Sequence, residues 1–308
     1  MRETIRLGTR HSPLAMKQAS IVAKQLKLTH RELNFDICPI ATKGYETYQL
    51  DSRITGGVKD VFTKEVDQAL LSGEVDIAIH SLKDLPVKPH PDIVIGSIPK
   101  RSDPRDALVS VDKITLSELP LNARIGTSSL RRRVQILEFR PDFKVMEITG
   151  NVGTRIEKMR EMSLDALILA ASGIVRLGLT DLIAEILPIE VMLPAAGQGA
   201  LAVEVKRNDS TTLKIVQSIN DQESSFTTNV ERTFTERLGG GCNLPVAAYG
   251  QIHGNKITLD CMVATSNSTN LIREKAIDDS ENSKIGASLA EKILSTNDIG
   301  MAHDSFDS

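Results

Sequence analysis

"ARIGTSSLRRRVQILEFRPDFKVMEITGNVGTR", residues 123–155, alternates apolar runs with polar turns. "ARIGT" reads as a short buried strand. After Leu130 the apolar residues Val134 and Leu137 fall at i+4 and i+7, the spacing of one helix face. Ser128 or Ser129 stands where a capping side chain belongs, and Pro141 requires the helix to end near Arg140. "FKVMEI" then reads as a second strand, followed by the polar turn "GNVGTR". Strand, polar turn, helix and strand in this order are the unit of a parallel α/β sheet. Arg131, Arg132 and Arg133 therefore lie in a helix's first turn, where positive charge opposes the helix dipole by about 0.3–1 kcal/mol. An unfavourable placement of three cations asks for an anion.

The arrangement recurs along the chain. Arg10 and Ser12 follow the strand-like "TIRLG", and Ser81, Lys83 and Asp84 follow "VDIAIH". Asn151 and Arg155 follow "FKVMEI", and Arg176 lies just beyond "DALILA". Ligands of open parallel sheets bind at the carboxyl ends of the strands, where helix N-termini point free N–H groups outward. A single loop arginine is ordinarily a solvated surface charge. Repetition over four loops instead points to a polycarboxylate or polyphosphate ligand.

Composition removes other classes. A formal net charge of −3 and only 3% aromatic residues argue against a nucleic-acid partner. Charges at Arg2, Glu3 and Arg6 interrupt any apolar leader, and no run approaches the ~20 apolar residues of a membrane span, so a cytoplasmic protein without a membrane partner is expected. The 308 residues suffice for two or three packed domains. Cys38, Cys242 and Cys261 are too few and too far apart for a disulfide framework, and with no C-x-x-C pair no metal is expected. Cys38 and Cys261 sit in apolar, strand-like runs and read as core thiols. Cys242, in "RLGGGCNLP", has three glycines before it, so a nucleophile or covalent tether stands beside an ordinary loop cysteine as its reading.

"HSLKDLP", "DPRDAL", "GTSSLRR", "GNVGTR", "LPAAGQGA" and "GGGCNLP", in this order over nearly the whole chain, resemble the porphobilinogen deaminase (hydroxymethylbilane synthase) family. The resemblance implies an α/β protein of three domains. Two are doubly wound lobes like those of periplasmic binding proteins, and the third is a small α+β C-terminal domain. The first lobe would take residues 1–99 and 200–217, the second 104–195, and the cofactor-cysteine domain 222–308.

The implied reaction is a transferase reaction of porphyrin biosynthesis. Four porphobilinogen molecules condense head to tail with loss of ammonia to give hydroxymethylbilane. A dipyrromethane cofactor, thioether-linked to Cys242, primes the chain. By motif match Asp84 is the catalytic residue, and Ser81, Lys83, Thr127, Ser129, Arg131, Arg132 and Arg155 hold the cofactor with Cys242. Arg10, Ser12, Arg176 and Lys59 bind substrate, and the family implies a monomer. Every pyrrole carries an acetate and a propionate, so a growing chain of them is the polycarboxylate that the arginines require. Gly197 and Gly199 read as loop glycines compatible with a hinge where the chain crosses back.

Three positions depart from the family pattern: Thr149 stands where arginine is usual, Tyr45 follows Gly44, and the 55–60 loop reads "TGGVKD". Arg133, Lys59 and Arg53 are the cations available to compensate for Thr149, with Arg133 turned about 100° from Arg132 on the helix. Two alternatives remain beside the enzyme: a family member impaired in cofactor loading by Thr149, and a non-enzymatic anion-binding protein of the periplasmic-receptor type.

Overall fold

The computed structural model describes residues 4–42, 63–86, 88–239, 245–264, 271–280 and 284–296. Cys242, Lys59, Arg53, Tyr45 and the polar tail 301–308 lie outside these residues. In chain order, β1 (Thr4–Arg10), α1 (Pro13–Thr29), β2 (Asn34–Ile40), α2 (Lys64–Ser72), β3 (Ile77–Ser81) and β4 (Ile93–Ser97) come first. β5 (Asp106–Ser110), β6 (Arg124–Gly126), α3 (Leu130–Phe139), β7 (Lys144–Met146), α4 (Val152–Glu161), β8 (Ala166–Ala170), α5 (Ala171–Arg176) and β9 (Glu185–Ile186) follow. The chain ends with β10 (Leu201–Lys206), α6 (Ser210–Gln217), α7 (Gln222–Arg237), β11 (Val246–His253), β12 (Lys256–Ala264), β13 (Leu271–Asp279) and α8 (Ile285–Ser295).

Two five-stranded sheets share one plan, β2-β1-β3-β10-β4 and β7-β6-β8-β5-β9. In each, four strands run in one direction and the fourth position alone is antiparallel to its neighbours: β10 against β3 and β4, β5 against β8 and β9. The parallel strand–helix units expected from the alternation are present, and one antiparallel strand inserted in each makes the sheets mixed. The antiparallel strand of each is the first one formed after the chain crosses from the other lobe, so it enters from the opposite end.

Local chemistry explains the elements that flank the cleft. Ser12 Oγ accepts the Ala15 amide at 3.3 Å and Pro13 opens α1, whose face of Ala19, Val22 and Leu26 is buried on the first sheet. Asn151 caps α4 by accepting the Thr154 amide at 3.0 Å. Ser129 holds the N-cap position of α3 but its side chain makes no capping bond, and the Ser128 hydroxyl donates instead to the Ile148 carbonyl. The expected serine cap is therefore replaced by a tie between two strand-end loops.

The third sheet is an antiparallel meander, β11-β12-β13. Leu259, Cys261 and Val263 of β12 pack with Val230 and Phe234 of α7 and with Leu289 of α8, while Met262 on the other face packs with Val134 of α3 and Leu193. Cys261 is a core thiol as expected. Cys38 is only half-buried, because β2 lies at the edge of its sheet.

Candidate active site

The two stretches that cross between lobes are bonded to each other. The Ser102 amide donates to the Gly199 carbonyl at 3.3 Å, and Arg101 Nε donates to the Gln198 carbonyl at 2.8 Å. A Cβ on Gly199 (φ +89°) would stand 2.5 Å from the Ser102 carbonyl oxygen, and one on Gly197 (φ +73°) 2.9 Å from Leu82. These are glycines that the crossing requires, not ordinary loop residues. Glu231 of α7, fully buried, fastens the junction by accepting Arg101 at 2.6 Å and the Gly197 and Gly250 amides at 2.7 and 2.8 Å.

Asp84 ends a single 3₁₀ turn, Leu82–Asp84, that follows β3, and the turn is docked by the Leu82 amide on the Ala200 carbonyl at 3.1 Å. Asp84 lines a cleft with Arg10, Ser12, Gln18, His80 and Ser81. Gln18 orients the Ser81 hydroxyl by donating to it at 2.8 Å. Arg10 and Ser12 come from the end of β1, so two adjacent parallel strands deliver the carboxylate, a guanidinium and two hydroxyls to one place, as the strand-end pattern requires.

From the same turn a polar chain runs into the second lobe. Lys83 Nζ donates to Gln198 Oε1 at 3.1 Å, and Gln198 Nε2 donates to Asp106 Oδ1 at 3.0 Å. Asp106, with no exposed surface at the start of β5, accepts Arg131 Nη2 at 2.8 Å and Arg132 Nη2 at 2.7 Å. Arg131 Nη1 also donates to the Leu193 carbonyl at 2.6 Å. Burial alone would raise the Asp106 carboxyl, but the two guanidiniums hold it well below the usual carboxylate range. Burial, reinforced by the Arg132 charge, pushes the Lys83 ammonium down to about 8.

Arg176 Nη2 donates to the Gly199 carbonyl at 2.6 Å and to Ser102 Oγ at 3.1 Å, placing it on the lobe junction, and burial lowers it to about 10. Its Nε is buried without a hydrogen-bond partner among the described residues. Arg155 Nε donates to the Gly150 carbonyl at 2.8 Å. Thr127 Oγ1 accepts the Ser129 amide at 3.2 Å, so these two belong to the turn that presents the arginines. Arg133 is exposed, as its helical position requires.

Three participants escaped the reading of the sequence. Asp106 and Gln198 stand in the quoted motifs "DPRDAL" and "LPAAGQGA" without an assigned role, although an acid opening an apolar strand is itself a signal of a buried counter-ion. Lys158, one face of α4 beyond Arg155, donates to the Thr149 carbonyl at 3.3 Å and is a cation close to the position that lacks arginine.

Residues 5–214 match the family description "Porphobilinogen deaminase, dipyromethane cofactor binding domain", and residues 225–295 match "Porphobilinogen deaminase, C-terminal domain". The chain belongs to the porphobilinogen deaminase family. It is 41% identical to the porphobilinogen deaminase of Syntrophotalea carbinolica, over 94% of this chain and 92% of that protein. It is likewise 41% identical to that of Desulforamulus reducens, over 96% and 95%. Among solved structures, the periplasmic VFT2 domain of Bordetella pertussis BvgS aligns with TM-score 0.40 at 15% identity, covering 70% of this chain and 86% of that one.

The cleft fits the dipyrromethane that the family description names. Arg10 and the Ser12 and Ser81 hydroxyls line it with Asp84, Lys83 extends from the same turn, and at the lobe junction the buried Arg176 Nε is an unused donor. Cations, hydroxyls and a spare donor suit a ligand made of carboxylates. Among the described residues no helix is long and apolar enough to cross a membrane.

Proposed function

We propose that the chain is a hydroxymethylbilane synthase, condensing four porphobilinogen molecules head to tail with release of ammonia. The observation that carries this reading is a carboxylate, Asp84, sharing a cleft with the Arg10 guanidinium and the Ser12 and Ser81 hydroxyls in a porphobilinogen deaminase family member. Bound dipyrromethane supplies the pyrrole end to which the first substrate is joined, and its tether is Cys242, which lies outside the described residues.

The chain's own residues bind and orient. Asp84 accepts pyrrole N–H groups and stabilises the positive charge that develops on the substrate ring as its C–N bond to the leaving ammonia breaks. Arg10, Ser12, Arg176 and Lys59 take substrate carboxylates. Ser81, Lys83, Thr127, Ser129, Arg132 and Arg155 take those of the cofactor. Arg131, already bonded to Asp106 and Leu193, contributes its charge and fixes the geometry of Arg132. A charge-assisted bond is worth ~1.5–3 kcal/mol, so distributing cations over several loops suits a ligand that lengthens in place.

The domain division that suits this chemistry is 1–99 with 200–217, 104–195, and 222–308, since each part then contains one of the three sheets. A monomer in the cytoplasm fits the unbonded thiols Cys38 and Cys261, which suit a reducing compartment.

The test is turnover of porphobilinogen with ammonia counted against product, expected at four to one. Asp84→Asn keeps the shape of the group and removes its charge, so turnover should drop at least ~10²-fold with folding intact. Near-normal turnover in that variant would assign the role to another residue.

A further inference from the structure

Behind Ser81 and Asp84, three elements converge on a group of side chains that the reaction above does not use. Asp67 comes from α2, His80 from β3 and Glu204 from β10. His80 and Glu204 are 4% and 2% exposed. His80 Nε2 lies 3.5 Å from Asp67 Oδ1 and 3.5 Å from Glu204 Oε2, and the three atoms all fall within 4.8 Å of one another. Each of the three is buried with no hydrogen-bond partner among the described residues. Buried polar atoms are almost always bonded, so three left unbonded and aimed at one point mark a missing common partner.

The spacing identifies that partner's size. A zinc-like ion holds imidazole nitrogen at about 2.0–2.1 Å and carboxylate oxygen at about 2.0–2.2 Å, which in a tetrahedron separates ligand atoms by roughly 3.3–3.5 Å. The two separations from His80 match. One imidazole and two carboxylates also form a donor set that zinc-like divalent cations accept, with a further position left for water. We propose that Asp67, His80 and Glu204 bind a divalent transition cation that ties α2, β3 and β10 together behind the cleft. The rival arrangement is the same three side chains packed against one another with no metal.

No spacing in the sequence announces this site, because its ligands are contributed by residues 67, 80 and 204, brought together only by the pairing of β3 with β10 and the packing of α2. Ala202 is the residue paired with His80, and Glu204 pairs with Ala78, so His80 and Glu204 share one face of the sheet, two residues apart along the ladder.

The experiment uses the full chain freed of metal by chelation and titrated with Zn²⁺ alone, with uptake counted by mass spectrometry of the metal. One equivalent per chain is expected. X-ray absorption at the zinc edge of the wild-type protein should show one imidazole and oxygen donors with no sulfur, a readout independent of any variant's folding. His80→Gln and Glu204→Gln should each weaken uptake at least about tenfold, since loss of a mere supporting partner already costs ~10–100-fold. Asp92→Asn, a surface control, should leave it unchanged. Failure of the wild type to take up one equivalent, sulfur in the shell, or uptake indifferent to both triad substitutions would overturn the proposal and leave the metal-free arrangement. Because the readout is metal content, it stands apart from the turnover test of the enzyme assignment.

Discussion

Replacing Asp106 with asparagine removes the negative charge shared by two buried guanidiniums. Asp106 is fully buried and Arg131 and Arg132 are each 6% exposed, so water cannot take over the lost pairing. Breaking a buried pair by removing one partner costs about 3–5 kcal/mol, a large part of a total stability of about 5–15 kcal/mol. Denaturant midpoints should therefore fall strongly in the cofactor-free protein. The loaded protein should fall less, because bound carboxylates partly neutralise the same guanidiniums. Asp103→Asn breaks the Asp103 pair with Arg105 at 2.6 Å, which is 35% and 43% exposed, and should cost no more than ~1 kcal/mol. The sign with pH follows from the depressed Asp106 carboxyl. Its contribution is complete above the unfolded-chain value near ~4 and is lost as pH falls below it, so the wild type should lose more stability in acid than Asp106→Asn does. An Asp106→Asn cost equal to that of Asp103→Asn, or an unchanged acid limb, would refute the counter-ion reasoning.

Lys83, pushed down to about 8, should give kcat/KM an alkaline limb near that pH, because orienting the cofactor carboxylates needs the ammonium. Lys83→Arg should move the limb beyond the measurable range. Stability should move the other way, since the unfolded chain holds more protons between about 8 and 10.5 and this group therefore adds stability as pH rises. Thr149→Arg should raise the loaded fraction or the turnover, an ion pair at ~4 Å being worth ~4 kcal/mol at an effective dielectric near 20 before desolvation. The gain should be larger in a Lys158→Ala background, as read by colour with a pyrrole-reactive aldehyde. Equal gains would show that Lys158 does not compensate. Gly199→Ala should destabilise by at least ~2 kcal/mol through its positive φ and the Ser102 carbonyl in its way, whereas Gly178→Ala, with nothing within 4 Å, should cost less in the same melt.

What the sequence made legible was local. Periodicity located β1, β3, β6, β7 and β8, and the strand-end rule located Arg10, Ser81, Lys83 and Asp84, because both depend on neighbours a few residues away. The antiparallel entry of β5 and β10 was not legible, since a strand's direction is set by how the chain crosses between lobes. Asp106 opens an apolar strand and so signals a buried counter-ion, but its partners, and the role of Gln198, emerge only when the crossing sets the two between Lys83 and the arginine pair. Cys38 reads as core because alternation does not distinguish an edge strand from a central one. Ser129 sits where a cap belongs, but the competing bond from Ser128 to Ile148 sets that turn.

If this chain carries a dipyrromethane on Cys242, the intact mass of the purified protein records it. Wild-type protein from cells that make porphobilinogen should be heavier than its sequence by two deaminated substrate units. Cys38→Ser and Cys261→Ser should keep that increment and Cys242→Ser should lose it. An unmodified wild-type mass, or an increment that survives in Cys242→Ser, would rule out a dipyrromethane tethered to Cys242.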